Sequence, residues 1–139
     1  MDRIQSQIKI KELSEAPNFQ ELKDKFGVGE ETIIAYGDAI YVKGKQMSAD
    51  LLQHEITHCQ RQKFDRDSAK RWFELYMTDE KFRLQEETIA YHNQFEYCKK
   101  VYKDRNKRTK ILWALAKELS SSRYGNIIEH REAMRMIVF

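Results

Sequence analysis

The sequence pattern changes from β-rich to helical near residue 48, and this change constrains the fold more than any other feature of the sequence. Before it, the segment ETIIAYGDAIYVKGKQ places two β-rich runs around Gly37 and Asp38, which is typical of a β-hairpin over about 32–43. After it, apolar residues recur at helical spacing almost to the C-terminus. The sequence therefore predicts a mainly helical α+β fold that carries one small β-hairpin.

Capping residues and helix breakers give the expected bounds of the helices. Pro17 lies in a loop before a short helix, and Gly27 and Gly29 end it. Ser48 and Asp79 are good N-caps for two later helices. The expected helices span about 18–26, 49–63, 67–77, 80–103, 107–119 and 127–137. A length of 139 residues is typical of one domain, so we expect residues 1–139 to form a single domain.

Composition and the N-terminal segment indicate the cellular compartment in which the protein is expected. Hydrophobic residues make up 41% of the sequence, which is enough for a core, and no apolar run approaches the ~20 residues of a membrane span. The N-terminal segment MDRIQSQIKIKEL lacks the apolar core of a signal peptide. Cys59 and Cys98 do not form a CxxC pair. We therefore expect a cytoplasmic protein with buried free thiols and no membrane association.

A basic cluster, KKVYKDRNKRTK, covers residues 99–110 of a chain whose net charge is +3. Such a cluster can contact the phosphates of a nucleic acid or an acidic partner. It is also typical of a solvated helix end, because lysine and arginine interact favourably with the C-terminal end of the helix dipole. We favour the second interpretation and do not expect a nucleic-acid partner. Nothing in the pattern indicates an oligomeric state.

The stretch DLLQHEITHCQRQ, residues 50–62, places the pattern HEITH inside a predicted helix. Residues four apart share one helix face, so His54 and His58 can direct their imidazoles at one ion. Imidazole is a typical zinc ligand. Glu55 would flank that ion as a general base for a metal-bound water. The motif predicts one zinc ion, and the alternative is two surface histidines on an amphipathic helix.

A third protein ligand is expected on the downstream helix. Its candidates are Glu86, Glu87, His92 and Glu96. One face of this helix is mostly apolar and consists of Leu84, Glu87, Thr88, Tyr91, Phe95, Cys98 and Tyr102. A carboxylate on an inward face is costly unless it is paired or binds a metal, which makes Glu87 the predicted ligand.

Glu86 and Glu96 lie off the apolar face and are expected to be solvated, whereas His92 lies beside it. The alternative role for Glu87 is an ion pair with an arginine such as Arg71 or Arg83.

Tyr91 and His92 are the candidates for a second contribution to catalysis. Either side chain could donate a hydrogen bond to the oxyanion that forms during acyl transfer. His92 also remains a candidate for binding the metal or the substrate. Core packing is the favoured alternative for Tyr91, because it lies on the apolar face one turn from Glu87.

The HExxH helix followed by the tetrapeptide Glu87 to Ala90, ETIA, resembles the gluzincin-type metallopeptidases. Several zincin families carry ExxAD, with the glutamate as third zinc ligand, and Tyr91 stands here in place of the aspartate. Residues 30–128 are similar to small zincin-like proteins of phages and bacterial genomes. The resemblance implies a minimal core, in which a short β-element lies beside an active-site helix and a glutamate helix.

The expected activity is hydrolysis of a peptide or protein substrate by zinc-bound water, with Glu55 as base. An extended substrate could pair with a strand of the hairpin. The alternative is a catalytically silent, zinc-stabilised structural or regulatory binding module, as in a phage-associated protein. A structural zinc site usually has a fourth protein ligand. Neither Cys59 nor Cys98 is placed to be one, which favours the enzyme.

Overall fold

The computed structural model describes residues 8–139, and in them the chain forms six α-helices and one three-stranded sheet. The helices are α1 Phe19–Phe26, α2 Ala49–Arg61, α3 Arg66–Thr78, α4 Glu80–Val101, α5 Arg105–Leu119 and α6 His130–Val138. The strands are β1 Lys9–Lys11, β2 Ile34–Tyr36 and β3 Ala39–Tyr41. The predicted mainly helical α+β fold is confirmed, and every predicted helix is present within a few residues of its expected bounds.

The predicted hairpin is present as β2 and β3, which pair antiparallel across Gly37 and Asp38. Gly37 has a φ of +63°, and a Cβ there would come within 3.1 Å of the Arg66 backbone, so both conformation and space favour glycine. The strand β1 was not predicted; it pairs parallel with β3 and makes β3 the central strand. β1 has only three residues, two of them exposed, and its partner lies far along the chain. A local pattern therefore carries little sign of it.

The long helix α4 lies at the centre of the helical part of the fold. It packs against α2, α3, α5 and α6, while β2 lies against α2. A small apolar cluster of Ala35, Ile40, Ile56 and Cys59 joins the sheet to α2, and a larger core lies between the helices and includes residues of β2 and β3. The packing of α2 on α4 brings the predicted zinc motif beside the predicted third ligand.

Side-chain caps explain where several helices begin. Asp79 accepts hydrogen bonds from the backbone N–H groups of Lys81 and Phe82 at the start of α4. Ser48 occupies the predicted N-cap position of α2, but its side chain makes no capping hydrogen bond to the helix. Asp65 and Asp104 cap α3 and α5 in the same way as Asp79 caps α4.

Cys59 and Cys98 are free and buried, as predicted. Across residues 8–139, the helices are all too short or too polar to cross a membrane. The expectation that the chain starts without a signal peptide falls mostly on residues 1–7, which lie outside the described part of the chain.

The basic cluster lies at the junction of α4 and α5. There Arg108 donates to the backbone carbonyls of Lys99 and Tyr102, near the C-terminal end of α4. This contact gives at least one of its cations a structural role.

Candidate metal centre

Three buried side chains from two helices meet at one point. α2 contributes His54 and His58, and α4 contributes Glu87; the three are 4%, 5% and 4% exposed. His54 Nε2 lies 3.1 Å from Glu87 Oε1, and His58 Nε2 lies 3.2 Å from Glu87 Oε2. One potential ligand atom from each residue lies within 4.8 Å of the others, so this group could hold a metal ion.

Hydrogen bonds around His54 show which of its ring nitrogens carries the proton and which faces Glu87. Gln94 Nε2 donates to Asp50 Oδ2 at 2.8 Å, so Gln94 Oε1 is the atom that faces His54 Nδ1 at 3.0 Å. An amide oxygen only accepts, and His54 Nδ1 therefore carries the proton. In the neutral imidazole this leaves a lone pair on Nε2, directed at Glu87.

This arrangement fits a cation. A lone pair of His54 and a carboxylate oxygen of Glu87 are both acceptors, so a proton or a metal ion must lie between them. Burial by itself raises the pKa of Glu87, but the neighbouring His58 and His54 lower it by a larger amount. The pKa of Glu87 therefore lies below the ordinary value of a glutamate. The carboxylate form, which a metal requires, is thus the favoured form at neutral pH.

His58 is held differently from His54. Its Nδ1 is buried and has no hydrogen-bond partner among the described residues. Its ring instead packs against Trp72, with centroids 5.2 Å apart and a T-shaped geometry. The orientation of His58 therefore depends on the position of the Trp72 ring.

The expectation that Glu86 is solvated was wrong. Glu86 is 1% exposed and accepts hydrogen bonds from Arg61 Nε at 3.0 Å, Arg61 Nη2 at 2.9 Å and Trp72 Nε1 at 2.8 Å. The helix pattern of α4 taken alone could not show that α2 and α3 cover a second face of this helix. Glu86 tolerates burial because its carboxylate is paired, and it positions the Trp72 ring that packs on His58. Glu96 is part exposed at 42%, as predicted, and pairs with Lys99.

Tyr76 belongs to the site, although its position in the sequence did not indicate this. Its hydroxyl donates to Glu87 Oε2 at 2.8 Å, and the residue is 6% exposed. A tyrosine at helical spacing among apolar residues looks like core, and only its hydroxyl gives a signal of a polar partner. The alternative ion pair for Glu87 was wrong, because Arg83 donates to backbone carbonyls and Arg71 contacts Ser68.

A cavity of about 150 Å³ lies beside the three residues. Its walls come from α1, the segment 28–35, α2, α3, α4 and the turn Ser122–Tyr124. Glu55 lines this cavity together with His54, His58 and Glu87, and it is 6% exposed. No side chain among the described residues donates a hydrogen bond to it. Burial raises the pKa of Glu55 to about 8; the nearby His54 lowers it, and the charge of Glu87 raises it.

Tyr91 and His92, the two further candidates for catalysis, face different parts of the structure. Tyr91 lines the cavity, its ring centroid is 4.4 Å from that of His54, and its hydroxyl shares a 2.7 Å hydrogen bond with Tyr124. His92 faces α6 instead, where its Nδ1 lies 2.7 Å from the carbonyl of Ile137. One residue along a helix is a rotation of about 100°, which is enough to turn His92 away from the cluster. Its predicted role at the site is therefore not supported.

The edges of the hairpin are largely covered. β1 occupies the second edge of β3. At the turn end of β2, the side chain of Gln62 accepts from Gly37 N at 2.6 Å and donates to the carbonyl of Ala35 at 3.1 Å. Strand addition by a substrate would be confined to the Ile33 end of β2, which lines the cavity.

Neither a family model, nor a curated protein, nor a solved structure matches this chain.

Proposed function

We propose that this protein is a zinc-dependent metallopeptidase in which His54, His58 and Glu87 hold one zinc ion. The observation that carries the proposal is the convergence of two imidazoles and one carboxylate, all buried, beside a cavity that Glu55 also lines. Two histidines and a glutamate form a known ligand set of catalytic zinc sites. The resemblance of HEITH and ETIA to the gluzincin pattern supports the same ligands.

The number of protein ligands favours catalysis over a structural role. Three is typical of a catalytic zinc site, and a structural site usually has four. Cys59 Sγ points to the carbonyl of Ala39 in the sheet, and Cys98 is outside the cluster. Within residues 8–139 no fourth histidine, cysteine or carboxylate joins the group. A position is therefore open to water and substrate.

In peptide hydrolysis, Glu55 would transfer the proton, and the residues around the proposed zinc ligands would hold those ligands in position. A zinc ion bound here would polarise the scissile carbonyl and lower the pKa of a water molecule toward neutrality. The pKa of Glu55 is raised to about 8 without a metal, but a cation held beside it would favour the carboxylate form. That carboxylate takes a proton from the attacking water as the water oxygen bonds to the carbonyl carbon. Glu55 then delivers that proton to the amide nitrogen as the C–N bond breaks. Tyr76 and Gln94 keep Glu87 and His54 in position for ligation.

The family pattern and this chain differ in how a carboxylate reaches the ligands. Tyr91 replaces the aspartate of ExxAD, and its hydroxyl bonds to Tyr124. In this chain the carboxylate of Asp50 is linked to His54 through Gln94. A carboxylate that acts through an intervening amide can still favour the Nδ1–H tautomer of the histidine.

Metal analysis together with peptide-library cleavage tests the proposal. Purified wild type and Glu55→Gln should each bind one zinc ion, and only wild type should cleave. Glu87→Ala should lose stoichiometric zinc, while the matched control Glu96→Gln on the same helix should keep both zinc and activity.

An intact Glu87→Ala protein with unchanged zinc content would refute the ligand assignment. Zinc without cleavage by wild type would favour the catalytically silent binding module.

A further inference from the structure

A cationic side chain lines the same cavity as the three proposed ligands. Arg123 belongs to the short turn Ser122–Tyr124, and its side chain is 35% exposed. Its guanidinium lies 3.8 Å from Glu31 and 3.8 Å from Glu118, which is longer than a hydrogen bond. No side-chain hydrogen bond occupies its N–H groups within the described residues. Arg123 therefore has donors to offer to a ligand.

The backbone around Arg123 is well anchored. The next residue, Tyr124, is 8% exposed, its carbonyl accepts from Arg83 Nε at 2.9 Å, and its hydroxyl bonds to Tyr91. A long side chain on an anchored backbone loses less freedom when it binds a ligand.

A second residue of the cavity wall, Thr32, carries a polar group that lacks a partner. Thr32 is 8% exposed, and its buried hydroxyl makes no hydrogen bond among the described residues. A buried hydroxyl without a partner is costly, so a ligand oxygen that reaches it after a rotation of the Thr32 side chain would gain affinity. Thr32 lines the cavity on the segment that leads into β2.

The rest of this wall is mainly apolar. Its apolar members are Leu22, Val28, Ile33, Ile34, Leu51 and Phe73. A mostly apolar cavity with a few directed polar groups is the usual form of a small-ligand site. The acidic neighbours of Arg123 do not prevent an anion from binding to its guanidinium. The side chains of Glu31 and Glu118 are 62% and 52% exposed, so water screens their charges.

We propose that Arg123 and Thr32 form a subsite that binds a carboxylate of the substrate. The cleavage of a peptide bound at this subsite rests on the proposed peptidase function, whereas the binding of the carboxylate does not. The guanidinium supplies paired donors that match a carboxylate, and the threonine hydroxyl supplies one more. The carboxylate comes from the C-terminus of a peptide or from an acidic side chain, and the cavity of about 150 Å³ places it close to the proposed metal.

Three acetylated tripeptides test the subsite by calorimetric titration. The first ends in glutamine with a free carboxylate, the second ends in glutamate with an amide, and the third ends in glutamine with an amide. They are titrated into the full-length chain, both zinc-loaded and metal-free, as wild type, Arg123→Gln, Arg123→Lys, Thr32→Val and the control Arg105→Gln. Arg105 is exposed and lies outside the cavity, so its loss removes the same charge elsewhere.

We expect a carboxylate peptide to bind wild type at least about tenfold more tightly than the neutral peptide. The carboxylate peptide that binds more tightly than the neutral peptide shows whether the subsite takes a C-terminal carboxylate or an acidic side chain. The gain should disappear in Arg123→Gln, return in part in Arg123→Lys, fall in Thr32→Val and persist in Arg105→Gln. Binding through the metal alone is recognised because it would survive Arg123→Gln.

Equal affinities for the three peptides, or no binding of any, would overturn the subsite, as would an equal loss in Arg105→Gln. Failure of the subsite is distinct from failure of the proposed function. Cleavage without carboxylate preference would retain the peptidase and remove the subsite. An Arg123-dependent preference in a protein that neither binds zinc nor cleaves would retain the subsite and remove the peptidase.

Discussion

Gln94 gives the sharpest test of how the site is organised. It is 2% exposed, and its amide joins His54 Nδ1 at 3.0 Å to Asp50 Oδ2 at 2.8 Å. Gln94→Met keeps the length of the side chain but removes both hydrogen bonds. We expect weaker metal binding, because His54 loses the acceptor that keeps the proton on Nδ1 and Nε2 free to ligate.

The size of the effect follows from the hydrogen bonds that the substitution removes. Replacing an outer-shell partner of a metal-bound histidine typically lowers metal affinity by about 10–100-fold, or about 1.4–2.7 kcal/mol. The metal-free protein also loses one buried and one partly buried hydrogen bond and should be less stable by about 1–3 kcal/mol. Asp50→Asn should have a smaller effect on metal binding, because an asparagine oxygen can still accept from Gln94.

Competition with a chromophoric zinc chelator measures the affinity, and circular dichroism checks the fold. The matched control is Gln60→Met, since Gln60 is an exposed residue of α2 outside the cluster. A folded Gln94→Met protein whose zinc affinity stays within about twofold of wild type would refute the role of this amide.

Four further predictions concern the surroundings of the site. Excess chelator should lower the melting temperature of the zinc-loaded protein, because a ligand at 100 times its Kd stabilises by about 2.7 kcal/mol; an unchanged melting curve would argue against a bound metal. Thr32→Val should raise the melting temperature by a few degrees, since it removes an unpartnered buried hydroxyl; a lower value would show that the hydroxyl has a partner. Glu86→Gln should lower the free energy of unfolding in urea by about 1–3 kcal/mol, because the bonds to Arg61 are charge-assisted. Tyr76→Phe should weaken zinc binding in the chelator assay without unfolding the protein, since Glu87 loses one donor; equal affinity would make Tyr76 a packing residue.

Local pattern was sufficient for part of the site. The spacing of His54 and His58 places both on one face of α2 wherever that helix lies in the fold. The choice of Glu87 also came from local pattern, since a carboxylate on an apolar face requires a partner, and the structure supplies one in the two histidines.

Local pattern failed where another segment covers a residue. Glu86 is buried because α2 and α3 pack on its side of α4, and His92 faces α6 rather than the cluster. β1 depends on a parallel partner, β3, that is distant in sequence. None of these neighbours could be inferred from the periodicity of one helix or strand.

The amino-acid sequence by itself determined the helical character, the hairpin and the residue types of the candidate metal centre. These depend on spacing within one segment, which backbone geometry converts directly into a shared face. Only the tertiary structure decided which groups surround the centre. The Gln94 link from Asp50 to His54, and the meeting of Arg123 with Thr32 in one cavity, each join segments far apart in the chain. Such contacts depend on how the elements pack, and no local pattern encodes that packing.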